Sequence, residues 1–264
     1  MADPSTRPQA LVLDMEGVLH VDWAALPGSP EAVQRFLAAG IEVAVLTNTT
    51  GRTRAEIADR LAALGIPVPA ERIVTSASAT AAHLRNATPP PRVYALAEGD
   101  VLAEFAGLDL VDRPGDADTI VLGGPDGTWT YPALNAVFAA LMRGAALVAM
   151  QRNRWWTTRA GPALDAGMFV AGLEYAAGVS ATVIGKPSPA IFAAACALTG
   201  ADPAHAMMVG DDLESDLRPA AQVGMATCLV RTGKGETFEP APGEVDRHVD
   251  DLAALADALG LPPG

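Results

Sequence analysis

The sequence predicts an α/β protein with a Rossmann-like doubly wound parallel sheet as its core and a second α/β domain inserted into it. Two observations carry this. Apolar runs without polar alternation recur between helical segments, the pattern of parallel strands covered on both faces. The same strand–helix grammar stands at both ends of the chain, with a change of texture between them.

Taken in order, ALVLD (10–14) is an apolar strand that ends in a carboxylate. SPEAVQRFLAAG (29–40) reads as a helix with Ser29 as cap, Pro30 at its first position and Gly40 as its stop. IEVAVLTN (41–48) is a second continuous strand. Thr53 and Glu56 make a capping-box pattern before EIADRLAALG, where Gly65 is the stop. TPPPR (88–92) reads as a linker. After it come the strand RVYAL, a helix over VLAEFAG, the strand TIVLGG, the segment YPALNAVFAALMRG, the strand ALVAM and a basic-aromatic loop, RNRWWTTRAGP. The grammar then returns. SPAIFAAACALTG (188–200) is a helix capped by Ser188, AMMVGDD (206–212) a buried strand, MATCLV (225–230) another strand, and DDLAALADALG (250–260) an amphipathic helix. This places a core domain at residues 1–79 and 181–264 and the insert at 80–180.

Composition narrows the function classes. Half of the 264 residues are hydrophobic and 5% aromatic, so the core is built from Ala, Val and Leu. No apolar run approaches the ~18 residues of a membrane span, and Asp14 and Glu16 interrupt the only candidate leader segment, which points to a cytoplasmic protein. Cys196 and Cys228 lie in apolar segments and read as buried thiols. The net charge of −13 repels nucleic acid and anionic membrane, so neither is an expected partner. It also repels a phosphorylated substrate, so any phosphate site needs a local cation.

Four segments carry chemistry. Asp14-Met15-Glu16-Gly17 follows the first strand, where ligands bind in an open parallel sheet. Thr47-Asn48 ends another strand. Lys186 sits in the polar break IGKPSP, and Gly210-Asp211-Asp212, with Asp216 following, closes the strand AMMV. Singly, each has a plain alternative as a turn former, a solvated lysine or a first-turn carboxylate. Together they place polar groups at three strand ends beside one lysine. Mg2+ takes oxygen ligands and is held by one or two carboxylates plus substrate phosphate, a role open to Asp14 and Asp211. Phosphoryl transfer needs positive charge around the equatorial oxygens, from Lys186 and the metal, with hydrogen bonds from the Thr47 hydroxyl and the Asn48 backbone. Asp14 can attack phosphorus to give an aspartyl-phosphate. Asp216 would orient Lys186, with Asp212 in support.

These segments, as LVLDMEGVLH, VLTNTT, GKPSP and VGDDLESDL, resemble the haloacid dehalogenase-like hydrolase superfamily over essentially the whole chain. The insert between Thr47 and Lys186 resembles the large α/β cap of subfamily IIA, the p-nitrophenyl phosphatase and ribonucleotide monophosphatase-like branch. MFVAGLEYAAGVSATVIGKPSP and VRTGKG are most similar to the phospholysine phosphohistidine inorganic pyrophosphate phosphatase-like proteins. The resemblance implies a Mg2+-dependent phosphatase acting on a small phosphorylated compound: a phosphomonoester, phosphoramidate or pyrophosphate. It makes Asp14 the nucleophile, Thr47 and Lys186 phosphate ligands, and Asp14, Asp211 and the backbone carbonyl of Glu16 the metal ligands. Capped relatives often dimerise, so a homodimer is compatible with it.

One position departs. The family pattern is Asp-x-Asp, with the second Asp as general acid and base, and here it is Glu16. The backbone ligand survives the change, but the side chain is one methylene longer, and proton transfer depends on reach before pKa. Glu16 would then penalise alkyl phosphates more than phosphoramidates or pyrophosphate, whose leaving groups depart more easily. It also keeps two other readings open, a phosphotransferase and a non-catalytic phosphate- or protein-binding module. In the insert, Arg152, Arg154 and Trp155 are candidates for selecting the leaving group, within a loop running to Arg159. His20, His83, His205 and His248 share no metal-ligand spacing and read as structural or solvent-facing.

Overall fold

The computed structural model describes residues 7–97, 99–125, 127–158 and 161–263. In its first stretch β1 (Ala10–Asp14) is buried along its length, and a small hairpin follows, β2 (His20–Val21) with β3 (Ala24–Ala25). Next come α1 (Ser29–Ala38), β4 (Glu42–Thr47), α2 (Arg54–Ala63), β5 (Ile73–Thr75) and α3 (Ser76–Arg85). The middle of the chain forms β6 (Arg92–Leu96), β7 (Asp109–Leu110), β8 (Thr119–Leu122), α4 (Tyr131–Leu141) and β9 (Ala146–Ala149). It continues through β10 (Trp155–Thr158), β11 (Gly161–Leu164), α5 (Ala166–Ala177) and β12 (Thr182–Val183). The last stretch is α6 (Pro189–Thr199), β13 (Ala206–Gly210), a π-helical turn at Leu213–Leu217, α7 (Arg218–Gln222), β14 (Ala226–Val230), β15 (Arg247–Val249) and α8 (Leu252–Ala258).

Two compact units result. The first takes the residues up to Thr47, Arg54–Val74 and those from Lys186 onward; the second takes Asn48–Thr53 and Thr75–Gly185. These divisions differ from the expected 79/80 and 180/181 for identifiable reasons. A cut at 79 would split the continuous helix α3, and β12 pairs with β9, which ties it to the second unit. Gly124 packs so closely on Thr50 that a Cβ there would overlap the Thr50 hydroxyl, which binds the segment 48–53 to the same unit.

In the first unit a six-stranded sheet runs β15-β14-β13-β1-β4-β5. β1 pairs in parallel with both β4 and β13. The chain thus builds outward from β1 on one side and returns on the other, so β1 and β13 flank the point where strand order reverses. Both end in carboxylates on the same edge. The second unit has its own sheet, β12-β9-β8-β6-β7, in which neighbouring strands pair in parallel.

Each unit has a separate core. Leu11, Leu13, Val33, Phe36, Ile57 and Val209 are among the buried residues of the first, and Ile120, Leu122, Val137, Leu147 and Val170 of the second. Both cysteines are free and buried, as the apolar context predicts. Among the described residues no helix is long and apolar enough to cross a membrane.

Some local expectations change. Ser29 does not cap α1: Gly28, at φ 75°, is the cap residue, and the Ser29 hydroxyl donates instead to the Leu19 carbonyl at 2.7 Å. Ser188 occupies the cap position of α6 without a side-chain capping bond. VLAEFAG forms a 3₁₀ segment, Gly99–Phe105, and not an α-helix. The basic-aromatic segment is not a loop either. Trp155–Thr158 pairs antiparallel with Gly161–Leu164 as a ribbon, and Arg159 lies outside the described residues.

Phe36 is fully buried on the inner face of α1. Phe36→Ala should destabilise the protein by about 3–5 kcal/mol, since a large ring leaves a cavity that its neighbours only partly fill. A fall in urea midpoint with unchanged slope would register it.

Candidate functional site

The site grows from the buried strand ends of the first unit. Asp14 closes β1, and its Oδ1 accepts from the Met15 N–H at 2.7 Å and from Lys186 Nζ at 2.6 Å. Lys186 enters just before α6 and is almost wholly buried. Its ammonium also meets Asp216 Oδ1 at 2.7 Å. Asp216 sits on the π-helical turn, a distortion that recurs at functional sites. The turn lays its side chain against Gly210, where a Cβ would overlap the carboxylate. Asp211 follows β13 directly, and oxygens of Asp14, Asp211 and Asp216 lie within 4.8 Å of one another.

A second loop closes on Asp211 from above. Its Oδ2 accepts from the Lys234 N–H at 2.8 Å, and the Thr232 hydroxyl donates to the Gly17 carbonyl at 2.5 Å. Gly17 (φ 87°) and Gly233 (φ 55°) both turn a side-chain-free face to Asp211, and a Cβ on either would overlap Oδ2. Only glycine satisfies the backbone angle and the space together. Asp212 caps the π-helical turn, accepting from the Glu214 and Ser215 N–H groups, while the Lys234 ammonium meets its Oδ2 at 2.6 Å.

The electrostatics have one source. Burial alone would pull the Lys186 ammonium down, but the carboxylates of Asp14 and Asp216 outweigh it and hold the group above the ordinary lysine range. Burial, then the charge of Asp14, pushes Asp211 up to about 7 against the Lys234 N–H. Asp216 is driven up too, by burial and then by Asp14, with Lys186 opposing. Three carboxylates share a buried space with one ammonium, and proton binding is favoured at Asp211, Asp216 and Lys186.

The same imbalance tests the fit of a metal. The cluster is all oxygen, buried, and carries two formal negative charges in excess of Lys186. Asp216 Oδ2 is buried with no hydrogen-bond partner among the described residues. A hard divalent cation with oxygen ligands fits this donor set, whereas nothing in it favours a softer metal.

The remaining predicted residues divide. Thr47 is buried at the end of β4, one residue past Leu46, which is in register with Asp14. Asn48 belongs to the second unit, where its Oδ1 accepts from the Ser76 hydroxyl at 3.0 Å. Arg152, Arg154 and Trp155 also lie in the second unit, lining a hollow of about 460 Å³ with Leu164 and Met168, and Arg152 pairs with Glu174 at 2.6 Å. Glu16 is an exposed side chain bound at the β2–β3 hairpin: Oε1 accepts from the Asp22 N–H at 2.9 Å, and Oε2 lies 3.1 Å from His20 Nδ1.

Sequence reasoning missed the Thr232–Lys234 loop as part of the site. The only available signal was the glycine pair in TGKG, because the contact to Asp211 uses a main-chain N–H that any residue but proline supplies. His20 carries no spacing signal in the sequence, since its partner is the Glu16 carboxylate of the same turn.

Comparison with known proteins follows the same segments. A family model described as haloacid dehalogenase-like hydrolase matches residues 11–111, and a HAD-hydrolase-like model matches residues 183–255. Haloacid dehalogenase-like hydrolase domain-containing protein 2 of Homo sapiens is 35% identical over 226 residues, covering 86% of this chain and 85% of its own. Phospholysine phosphohistidine inorganic pyrophosphate phosphatase of Homo sapiens is 32% identical over 259 residues, covering 95% and 94%. The crystal structure of 4-nitrophenylphosphatase from Thermotoga maritima matches with a TM-score of 0.88 at 26% identity, covering 97% of this chain and 99% of its own.

Asp211 generates a pH prediction. In the metal-free folded protein it keeps its proton to about pH 7, while an unfolded Asp releases it near 3.8. Its burial penalty is therefore absent below about pH 4, grows as pH rises, and is complete above about 7. In EDTA, Asp211→Asn should be more stable than the parent by on the order of 2–4 kcal/mol at pH 8 and equal to it at pH 4. Thermal unfolding across that range checks it, and equal stabilities at pH 8 would refute it.

Proposed function

Because the chain belongs to the haloacid dehalogenase-like hydrolases and is a phosphate-hydrolysing enzyme, we propose that it is a Mg2+-dependent phosphatase working through an aspartyl-phosphate on Asp14. The observation that carries this reading is the buried set of Asp14, Asp211 and Asp216 around Lys186.

Asp14 and Asp211 side chains, with the Glu16 carbonyl, would hold the ion, and magnesium, when bound, supplies positive charge against the phosphoryl oxygens. Lys186 supplies the second cation, fixed in place by Asp216. Asp14 Oδ1 is engaged by Lys186 and the Met15 N–H, so Oδ2 is the attacking oxygen. It forms a bond to phosphorus as the bond to the leaving group breaks, and the departing pair takes a proton from Glu16. Water then attacks the phosphorus of the aspartyl-phosphate, gives a proton to Glu16 and releases phosphate, restoring Asp14. Thr47 at the neighbouring strand end donates to the phosphoryl group.

The second unit is read as a cap, with Arg152, Arg154 and Trp155 selecting the leaving group. The name of one relative carries phospholysine, phosphohistidine and pyrophosphate. The Glu16 argument favours the same class here, since such leaving groups depend less on a well-placed acid. Two buried free thiols suit a cytoplasmic setting.

Hydrolysis of p-nitrophenyl phosphate should require Mg2+, stop on chelation and return on its addition. Asp14→Asn should lower it by roughly 10³-fold or more. Mass spectrometry of acid-quenched parent enzyme should find one phosphoryl group on the peptide containing Asp14. Undiminished turnover by Asp14→Asn would end the reading.

A further inference from the structure

The Glu16 carboxylate is gripped by residues that the mechanism above leaves unused. Its two oxygens go to the Asp22 N–H and to His20 Nδ1. His20 is completely buried, and its ring stacks on Trp23 with centroids 4.5 Å apart and planes inclined by 21°. The Arg60 guanidinium lies 4.9 Å from the Trp23 ring centre. A chain of contacts therefore runs from α2 through Trp23 and His20 to Glu16.

The hairpin that presents these residues is strained. Among the described residues, Asp22 (φ 48°) and Trp23 (φ 59°) are the non-glycine positions with left-handed backbone. A bulky side chain is a genuine outlier in that region, and such residues persist where surrounding contacts hold them. The left-handed pair turns the Trp23 ring back over His20 and aims the Asp22 N–H at Glu16.

His20 Nδ1 has two claimants, the Trp23 N–H at 3.3 Å and Glu16 Oε2 at 3.1 Å. It cannot accept from one and donate to the other. If it accepted from Trp23, its lone pair would face a carboxylate oxygen, and the ring proton would sit on Nε2, which is buried without a partner among the described residues. If it donates to Glu16, the bond is charge-assisted and Nε2 is a bare nitrogen with no proton to satisfy. The second arrangement keeps the shorter, charge-assisted contact at the cost of the longer one from the Trp23 N–H, and leaves a lone pair without a partner at Nε2 where the first would leave a proton.

We propose that His20, pinned by Trp23, is a positioning residue for Glu16. An unrestrained glutamate has one more rotatable bond than the aspartate usual here, and would spread its carboxylate over many orientations. The hairpin clamp takes up that freedom and gives the longer side chain a single placement on the hairpin that follows β1. The inference rests on the phosphatase reading, in which Glu16 exchanges a proton with leaving group and water.

The test uses the full chain with Mg2+, an alkyl phosphate and p-nitrophenyl phosphate. His20→Phe should lower kcat/KM, which reports the step that expels the leaving group, roughly 10- to 100-fold on the alkyl phosphate and by less than about 3-fold on p-nitrophenyl phosphate, while slowing the shared aspartyl-phosphate hydrolysis for both. His20→Gln keeps an N–H donor and should recover most of the loss. In a Glu16→Gln background, His20→Phe should cost nothing further, because the two residues act as one unit. In ¹⁵N-edited spectra, His20 should show the Nδ1–H tautomer and lose it in Glu16→Gln. An equal loss of kcat/KM on both substrates, or a full additional loss on Glu16→Gln, overturns the clamp. Should His20→Phe fail to fold, Trp23→Ala at the partly buried end of the stack should give the same selective loss, and an unchanged alkyl rate there also overturns it. If Glu16→Gln is fully active while Asp14→Asn is dead, the proton role of Glu16 fails and takes the clamp with it. If Asp14→Asn is active, the phosphatase mechanism itself has failed.

Discussion

One buried ammonium faces three buried carboxylates, and most of the first unit is arranged to make that possible. Such a cluster is unstable by itself: removing charges from water is expensive, and a single lysine cannot compensate three acids. The sheet meets part of the difficulty by geometry. At the reversal of strand order β1 and β13 are neighbours, so Asp14 and Asp211 emerge side by side from rigid, fully buried strands. Lys186 and Asp216 arrive from the segments before α6 and after β13 and interlock with Asp14. What remains is a surplus of negative charge that a divalent cation would relieve. The cost of burying these acids and the pull they would exert on a cation are thus the same quantity seen from two sides.

Glycine makes the crowding feasible. Gly17, Gly210 and Gly233 each stand where a single methyl group would collide with Asp211 or Asp216. Two of them also have left-handed backbone, so the main chain of two loops can approach the Asp211 carboxylate and one N–H can bond it. The orientation of a metal-competent ligand therefore depends on backbone groups, which are rigid and cost no side-chain entropy to place.

This explains which parts were legible in the sequence. Continuous apolar strands ending in Asp14, Thr47 and Gly210 were legible because burial on both faces removes polar residues from the strand and leaves the carboxylates only at its ends. The ribbon of Trp155–Thr158 with Gly161–Leu164 was not, because its strands are short and mix tryptophan, threonine, glycine and proline without alternation. Ser29 misled because a serine before proline carries a capping pattern whether or not Gly28 has already taken the cap position. Lys234 was hidden for a deeper reason: its contact to Asp211 is made by an atom every residue but proline has, so no side-chain pattern could reveal it. The unit boundaries shifted because helix and strand pairing, which are cooperative, decide where a unit ends.

Glu16 shows how a departure from a family pattern can be read physically. Adding a methylene to an acid-base residue changes its reach, and an isolated substitution would leave the carboxylate searching. Here the neighbouring hairpin puts a tryptophan in the left-handed backbone of its two-residue turn, stacks it on a wholly buried histidine whose Nε2 has no partner among the described residues, and sets an arginine against the outer ring. Each is unfavourable or unexplained by itself. They become mutually consistent once the histidine donates to Glu16, because that contact gives the buried imidazole its partner and the strained turn its function. A residue that looks like a defect in the catalytic motif and a turn that looks strained are then two ends of one arrangement.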